Sequence, residues 1–290
     1  MRRLIINADD FGLTPGVNRA IAEAHSRGVV TSTTLMANSR AFDQAVTLTH
    51  AMPNLGVGCH VVLVDGEPVL PPERVPTLAR SSHFPASLGA VASATVRGKI
   101  RSDQAEEEVT AQIRKLQGAG VTVTHVDSHK HVHMLPLMGK AIVAAARACG
   151  VRAVRNPFVP VKPLEYAHLA RRPYLWKRFT QTKLLRRYES KFRDLVAKAG
   201  MVTTDGSFGV VSTGALDAEL FRAIIGSIPD GTWELVCHPG YIDDDLGRIR
   251  TRLRESRVKE LEVLTSEEAR RILSQAGIEL ISFAQLAANR

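Results

Sequence analysis

Short apolar runs and amphipathic stretches alternate along the 290 residues of the chain. The first run, Leu4-Ile5-Ile6, is followed by two adjacent carboxylates, Asp9 and Asp10, and then by Gly12. A run rich in β-branched residues is typical of a strand that is covered on both faces, so the two acids are predicted to lie where this strand leaves the sheet. In a parallel α/β sheet, ligands and catalytic groups gather at that end of the strands.

The same alternation continues to the end of the chain. Thr14 and Pro15 begin a helix that Gly28 ends. Further strand-like runs lie at residues 31–37, 55–64, 121–126, 153–157, 207–211, 232–241 and 279–283, with helical patterns at 39–52, 103–117, 136–149 and 215–226 and a last one that ends at Gly277. This alternation predicts an α/β fold, a distorted β/α barrel of seven to eight mainly parallel strands.

Two segments interrupt this rhythm. Residues 65–102 form a long proline-rich connection, and so long a connection in a compact domain is usually a lid or a binding loop. Residues 158–201 form a basic insertion that we expect to be helical. We interpret residues 1–290 as a single β/α-barrel domain that carries this insertion, although the length would also suit two smaller domains.

Cysteine content and hydropathy favour a location in the cytoplasm. Cys59, Cys149 and Cys237 are odd in number and form no CxxC pair, which suits a reducing compartment. The apolar run after Met1-Arg2-Arg3 is too short for a signal peptide, and no other segment approaches the roughly 18 apolar residues of a membrane span. We therefore expect a cytoplasmic protein.

The positive charge is concentrated in the insertion. Between Arg171 and Arg193, nine cations accompany a single acid, which accounts for most of the net charge of +9. Aromatic and leucine side chains such as Trp176 and Phe179 lie between these cations, a mixture typical of a helix that lies on an anionic membrane surface. A solvated helical cover over the mouth of the barrel explains the pattern equally well. No recognisable nucleic-acid motif accompanies the charge, so we expect no nucleic-acid partner.

Polar residues collect at the ends of the predicted strands. They are Asp9, Asp10, His60, His129, Arg155, Asn156 and His238. Because the carboxyl ends of parallel strands meet on one face of the sheet, residues that are distant in sequence are expected to become neighbours there. One aspartate with two histidines is a ligand set for a divalent metal ion that keeps open positions. Taken alone, His60 would more often be a hydrogen-bonded core histidine.

Spacing adds two expectations about the histidines. His129, His131 and His133 lie two residues apart, so on an extended chain they would share one face. The cysteines that directly precede His60 and His238 would be turned to the opposite side, where a thiol packs as a small apolar group.

Four motifs span the chain in a fixed order. They are Ala8-Asp9-Asp10-Phe11-Gly12, Gly58-Cys59-His60, Asp127-Ser128-His129-Lys130-His131-Val132-His133 and Cys237-His238-Pro239-Gly240-Tyr241. Together they resemble the motifs of the YdjC-like carbohydrate deacetylases. The segment from Gly58 to Pro72 is most similar to the hopanoid-biosynthesis-associated branch of that family.

The resemblance implies a metal-dependent N-deacetylase, a hydrolase that removes acetyl from an N-acetylated amino sugar, with N-acetylglucosaminyl on a hopanoid lipid as the substrate in the more similar branch. It implies one divalent metal ion bound by Asp10, His60 and His129. His131 is the reserve ligand, because Lys130 stands where the family often has histidine.

The resemblance also assigns roles around the metal. Asp9 would be the catalytic base, and Arg155 stands where the related polysaccharide deacetylases keep an arginine that orients the catalytic acid. The side chains that we expect to contact the substrate are Asn156, His131, His133 and Tyr241.

Amide hydrolysis at neutral pH requires such groups whatever the family. A metal ion lowers the pKa of bound water from about 15.7 toward about 7 and polarises the acetamide carbonyl. Asp9 would accept the proton of the attacking water, and His238 is our candidate for the acid that protonates the leaving amine. Asp9 and Asp10 cannot both point inward on a regular strand, so which of them ligates and which accepts the proton is open.

Several other functions fit the same residues. The protein could deacetylate soluble chitooligosaccharides, or act as a metal-dependent phosphoesterase, which uses similar ligands on β/α barrels. It could also be an inactive sugar-binding protein, or bind a membrane or nucleic acid through the insertion. Zinc, magnesium, manganese, iron and cobalt all accept Asp and His ligands. The sequence identifies neither the metal nor the oligomeric state, for which a homodimer is one option.

Overall fold

Strand β1 is an interior strand of a curled parallel sheet in the computed structural model, which describes residues 1–79, 82–158 and 175–288. The strands are β1 (Arg2–Phe11), β2 (Ser32–Leu35), β3 (Gly56–Val61), β4 (His125–Ser128), β5 (Ala153–Val154), β6 (Ser207–Phe208), β7 (Gly231–Cys237) and β8 (Glu279–Leu280). Their order is β5-β4-β3-β2-β1-β7-β6, and β8 pairs with the beginning of β1. Every strand pair within the described ranges is parallel.

The sheet curls until the chain before β6 meets β5. Val202 and Ala153 form an isolated parallel bridge, and Ser207 pairs with Glu234 of β7. The segment that contains Val202 and Ser207 therefore contacts both β5 and β7, which lie far apart in the strand order. The predicted α/β fold with a distorted barrel of mainly parallel strands is confirmed, in the form of a curled half-barrel.

Helices surround this sheet. In the described ranges they are α1 (Pro15–Ser26), α2 (Phe42–Ala51), α3 (Leu88–Val96), α4 (Ser102–Gly118), α5 (Pro136–Ala148), α6 (Trp176–Leu185), α7 (Glu189–Lys198), α8 (Ala218–Ser227), α9 (Asp244–Arg248), α10 (Glu255–Thr265), α11 (Glu267–Gln275) and α12 (Phe283–Ala288). Helix α1 begins as predicted, because Thr14 Oγ1 accepts a hydrogen bond from the backbone N–H of Val17 at 3.2 Å and Pro15 occupies the first turn.

Successive residues of β1 enter two different layers. Ile6 packs with the surrounding helices in the main core, whereas Ile5 packs with Phe283 of α12 in a separate cluster. Asn7 and Asp9 share the side of Ile5, and the amide of Asn7 donates to Asp9 Oδ1 at 3.0 Å. Strand β1 therefore delivers polar side chains to the interior of the curled sheet.

The two cysteines that precede the candidate histidines lie on the other side of their strands. Cys59 and Cys237 are fully buried in the main core, among apolar side chains. The prediction that these thiols are packed and turned away from His60 and His238 is confirmed.

The strand predicted at residues 121–126 lies further along the chain. The backbone N–H groups of Ala119 and Val121 still bond to Leu116 O at the end of α4, so these residues terminate the helix. Strand β4 begins at His125, and its register places Asp127 opposite His60 of β3. The prediction put Asp127 just after the strand, and the structure places it inside the strand.

The long connection after β3 has structure of its own. It contains α3, and its first part is tied to α4 because the carboxylate of Glu108 accepts hydrogen bonds from the backbone N–H groups of Val69 (2.8 Å) and Leu70 (3.0 Å). This anchoring holds the connection beside the carboxyl ends of the strands.

The predicted basic insertion is described only in part. Residues 159–174 lie outside the described residues. Helix α7 contributes Phe192 and Val196 to the main core, as a barrel helix between β5 and β6 does. Within the described ranges, no helix is both long enough and apolar enough to cross a bilayer.

Candidate metal centre and active-site cleft

A backbone irregularity at the end of β1 brings Asp9 and Asp10 to the same site. The pairing of β1 with β2 shifts register between Ala8 and Phe11, and Asp10 has a φ of 69° in the left-handed region. A regular strand would send adjacent side chains to opposite faces, and this bulge removes that restriction. Both carboxylates are buried, and both line one cleft.

Asp10 meets two of the predicted histidines. Its Oδ1 lies 3.5 Å from His60 Nε2 and 3.3 Å from His129 Nδ1. One ligand atom from each of these three residues lies within 4.8 Å of the other two. The donor set of one carboxylate oxygen and two imidazole nitrogens fits a divalent metal ion, and the cleft gives it access.

A further carboxylate orients His60. Asp127 Oδ1 accepts a hydrogen bond from His60 Nδ1 at 2.7 Å, which leaves Nε2 directed to Asp10. Burial by itself lowers the pKa of His60, but the carboxylates of Asp127, Asp10 and Asp9 outweigh it and raise the pKa to about 10. The site therefore has an excess of negative charge that a proton on His60 compensates, and a bound cation could compensate it instead.

Asp9 belongs to a second network, which is centred on Arg155. The fully buried guanidinium donates to both oxygens of Asp9 and, from Nε, to Glu234 Oε1 at 2.8 Å, and it forms an ion pair with the carboxylate of Asp127. Burial raises the pKa of Asp9, but Arg155 outweighs it and holds that pKa well below its usual range. Burial raises the pKa of Glu234 to about 7 despite the same guanidinium.

His238 approaches the site from the end of β7. Its Nε2 lies 3.9 Å from Asp9 Oδ2, and its backbone N–H donates to Glu260 Oε2 at 2.6 Å. Burial lowers the pKa of His238 to about 4, so the ring is neutral at pH 7. His238 lines the cleft together with Asp9.

The histidine-rich segment after β4 is not extended, so the prediction that its histidines share one face is wrong. Residues His129–Met134 form a tight turn of 3₁₀ type, in which Lys130 and His131 have φ values of 53° and 54°. The turn leaves His131 on the cleft wall but directs His133 inward, where its Nδ1 bonds to the hydroxyl of Ser128. Strand pairing stops at Ser128, so the alternation of a strand no longer applies.

Three predicted substrate contacts lie away from the cleft wall that the described residues form, namely His133, Asn156 and Tyr241. The side chain of Asn156 is bonded to two backbone groups: its NH₂ donates to Thr204 O at 3.2 Å, and its oxygen accepts from the N–H of Phe158 at 3.1 Å. The hydroxyl of Tyr241 bonds to Glu23 of α1. This placement favours structural roles for these side chains, whereas His131 faces the cleft.

Sequence reasoning missed four buried charged residues around the site: Asp127, Glu234, Arg257 and Glu260. Glu234 could have been found, because an acid inside an apolar strand is rarely buried without a partner. Asp127 begins the histidine-rich motif, but its position there did not reveal that it orients His60. Arg257 and Glu260 lie on α10, in a charge-rich segment whose pattern gives no sign of the site.

The cleft above these residues has a volume of about 910 Å³. Its aliphatic and methionine side chains are Leu13, Met36, Ala86, Leu88, Met134, Leu185, Val210, Ile249 and Leu253. Among the described residues that line it there is no Phe, Tyr or Trp. Two of the lining residues, Lys130 and Asp65, form an ion pair, and Arg250, Arg252 and Arg254 also border the cleft.

Comparisons with known proteins find relatives that match nearly the whole chain. A family model described as YdjC-like protein matches residues 3–275. A carbohydrate deacetylase of Geobacillus stearothermophilus is 34% identical over 284 residues, or 97% of each chain, and one of Thermoanaerobacter pseudethanolicus is 30% identical over 291 residues, which cover 99% of this chain and 100% of the relative. Among solved structures, a candidate cellobiose-phosphate cleavage protein of Enterococcus faecalis gives a TM-score of 0.80 at 28% identity, with 99% of each chain covered. The chain therefore belongs to the YdjC-like protein family.

Proposed function

We propose that this protein is a metal-dependent carbohydrate deacetylase that removes acetyl from an N-acetylated amino sugar. The observation that carries the proposal is the meeting of His60 Nε2 and His129 Nδ1 at one oxygen of Asp10, with a second buried carboxylate, Asp9, directly beside it in the cleft. Two relatives that match nearly the whole chain are named carbohydrate deacetylases, which supports this reaction class.

Asp10, His60 and His129 would hold the metal ion. When bound, a divalent cation supplies Lewis-acid chemistry, which lowers the pKa of water and polarises the acetamide carbonyl. The hydrogen bond from His60 Nδ1 to Asp127 presents the other ring nitrogen to the site and fixes the tautomer that ligation needs.

Asp9 is the proposed base. Arg155 holds it ionised, so it is ready to accept the proton of the attacking water at neutral pH. The leaving amine needs a proton, and the neutral ring of His238 at 3.9 Å from Asp9 can pass that proton on, carrying charge only transiently. Acetate and the free amine are the products.

The lining of the cleft favours a lipid-linked sugar, such as N-acetylglucosaminyl on a hopanoid, over a soluble chitooligosaccharide. The C–H face of a pyranose packs well on the face of an aromatic ring, and the described lining residues include no Phe, Tyr or Trp. Aliphatic and methionine side chains instead offer a surface that suits an aliphatic aglycone. The similarity of residues 58–72 to the hopanoid-associated branch points to the same substrate.

Helix α6 is the proposed contact with the inner face of the membrane. Its Trp176 and Leu184 are 43% and 58% exposed, and Leu185 borders the cleft. The helix therefore borders the cleft and exposes apolar side chains, which supports a contact with a membrane surface near the site. Binding of the protein to anionic but not to neutral vesicles would support this contact.

Acetate release after chelation and metal add-back tests the function. The substrates are an N-acetylglucosaminyl lipid in detergent and N,N′-diacetylchitobiose, and 4-nitrophenyl phosphate probes the phosphoesterase alternative. We expect acetate from the lipid, loss of activity with a chelator and recovery with zinc, cobalt, manganese, iron or magnesium. Phosphate release without acetate release would favour the phosphoesterase, and faster turnover of chitobiose would overturn the lipid assignment.

A further inference from the structure

The second oxygen of Asp10 is held by an arginine from a distant helix. Arg257 Nη2 lies 2.5 Å from Asp10 Oδ2, while Asp10 Oδ1 faces His60 and His129. Arg257 is 1% exposed and lines the cleft.

The chain is built to accommodate this arginine. Its Nε donates to Leu253 O at 3.2 Å, which fixes the side chain along the first turn of α10. Gly240 leaves the space that the side chain needs, because a Cβ at that position would lie 2.8 Å from Arg257 Cδ. One turn further along α10, Glu260 accepts the backbone N–H of His238, so the helix contacts the ends of both β1 and β7.

One nitrogen of the Arg257 guanidinium makes no hydrogen bond to the described part of the chain. Arg257 Nη1 is buried and has no hydrogen-bond partner in the described part of the chain. Arg155 bonds to Asp9 and Arg257 bonds to Asp10, so each of these adjacent carboxylates has its own buried arginine. The two arginines engage their acids differently: Arg155 bonds to both oxygens of Asp9, whereas Arg257 bonds to one oxygen of Asp10.

We propose that Arg257 is a positioning residue for the metal centre, which holds Asp10 Oδ2 so that Oδ1 alone faces His60 and His129. This inference rests on the proposed metal dependence. Without the pair, the carboxylate at the left-handed position of the bulge could rotate and lose its alignment with the two imidazole nitrogens. Partners that orient ligating side chains contribute roughly 10- to 100-fold to metal affinity.

The test measures metal binding as well as turnover. Apo wild type, Arg257→Lys, Arg257→Met and the control Lys259→Met are titrated with Co²⁺ by calorimetry and by the visible absorption of the bound ion. Lys259 lies two residues further along α10, is exposed and does not line the cleft. We expect Arg257→Met to bind Co²⁺ roughly 10- to 100-fold more weakly, Arg257→Lys to recover part of the affinity, and Lys259→Met to match wild type.

The outcomes separate this inference from the proposed function. If wild type binds no Co²⁺ or Zn²⁺, the metal proposal fails. If wild type binds and the folded Arg257 variants bind equally well with the same absorption spectrum, Arg257 has a merely structural role and the inference is overturned. Arg257→Met leaves Asp10 buried without its cation, and this variant could fail to fold. In that case the inference is tested with Arg257→Lys, which keeps the positive charge. A lower kcat at unchanged KM in Arg257→Lys would further support positioning.

Discussion

Arg155 forms a bidentate ion pair with Asp9, in which Nη1 lies 2.8 Å from Oδ2 and Nη2 lies 2.6 Å from Oδ1. Neither residue is more than 1% exposed. Asp10, the next residue, is bonded instead to Arg257 and turns its other oxygen to two histidines. Two neighbouring acids of identical chemistry thus have different surroundings, and these differences are the basis for the different roles proposed for them.

The roles of the two acids can be separated by single substitutions. Asp10→Asn is expected to lose bound metal, because it removes the anionic ligand from the histidine pair. Asp9→Asn is expected to keep the metal and lose roughly 10²- to 10⁴-fold in kcat, because it removes the base. Metal content by mass spectrometry and acetate release check both. The reverse pattern, with metal lost only from Asp9→Asn, would exchange the roles.

Arg155→Met is expected to destabilise the fold strongly. It leaves the carboxylates of Asp9, Asp127 and Glu234 buried without their shared cation, and breaking a buried ion pair in this way costs about 3–5 kcal/mol. Urea unfolding of the metal-free protein measures the loss. Arg152→Met is the control, since that side chain is exposed three residues earlier, and it should change the free energy of unfolding little. Equal effects in the two variants would contradict the network.

Glu260 makes the folded state sensitive to pH. Burial raises its pKa from 4.5 to about 7. Between these values the folded protein holds a proton that the unfolded chain has released, so the contribution of Glu260 to stability falls as the pH rises through this window and is constant above it. The pKa of His238 is lowered from 6.5 to about 4, so between these values the unfolded chain holds a proton that the folded protein has released. The contribution of His238 to stability therefore rises with pH through this window.

The Glu260→Gln variant isolates this effect, because it keeps an oxygen that can accept the N–H of His238. The free energy of unfolding of the variant, relative to that of wild type, is expected to increase from pH 4.5 to pH 7 and then to level off. Urea unfolding of metal-free proteins across this range measures the difference. A difference that does not change with pH would mean that Glu260 is ionised in the folded state throughout.

The absence of a side chain at Gly58 leaves room for the ring of His125, which is linked to Asp9 through Asn7. A Cβ at Gly58 would lie 2.5 Å from His125 Cε1, and the His125 ring cannot retreat because it stacks on Phe283 at 3.8 Å. His125 Nε2 lies 3.1 Å from the side-chain oxygen of Asn7, whose amide in turn donates to Asp9. Gly58→Ala is therefore expected to lower the free energy of unfolding by about 1–3 kcal/mol and to lower kcat.

Gly226→Ala is the matched control for Gly58→Ala. Gly226 lies in α8, and a Cβ added there would have no neighbouring atom within 4 Å among the described residues, so alanine should stabilise the helix by about 0.5–1 kcal/mol. Thermal unfolding and acetate release of both variants provide the comparison. Wild-type stability and kcat in Gly58→Ala would show that the His125 contact has no such importance.

The sequence was sufficient for the fold and for the list of candidate ligands. Alternating apolar runs and amphipathic stretches predicted the parallel sheet, because hydrophobic periodicity records which faces are buried. Polar side chains at the ends of strands lie on one side of a parallel sheet, and this rule provided a pool of candidates that includes Asp9, Asp10, His60 and His129. The choice of Asp10, His60 and His129 from that pool came from the resemblance of the motifs to those of the YdjC-like deacetylases.

Only the tertiary structure decided how these residues are arranged. The bulge at Asp10 and the tight turn that starts at His129 depend on where strand pairing stops, and no local pattern gives that point. The partnership of Asp10 with Arg257 joins residues 247 positions apart through the docking of a helix whose sequence shows no sign of the site. The sequence therefore identified the candidate groups, whereas their directions and charge partners depend on packing between residues that are far apart in the chain.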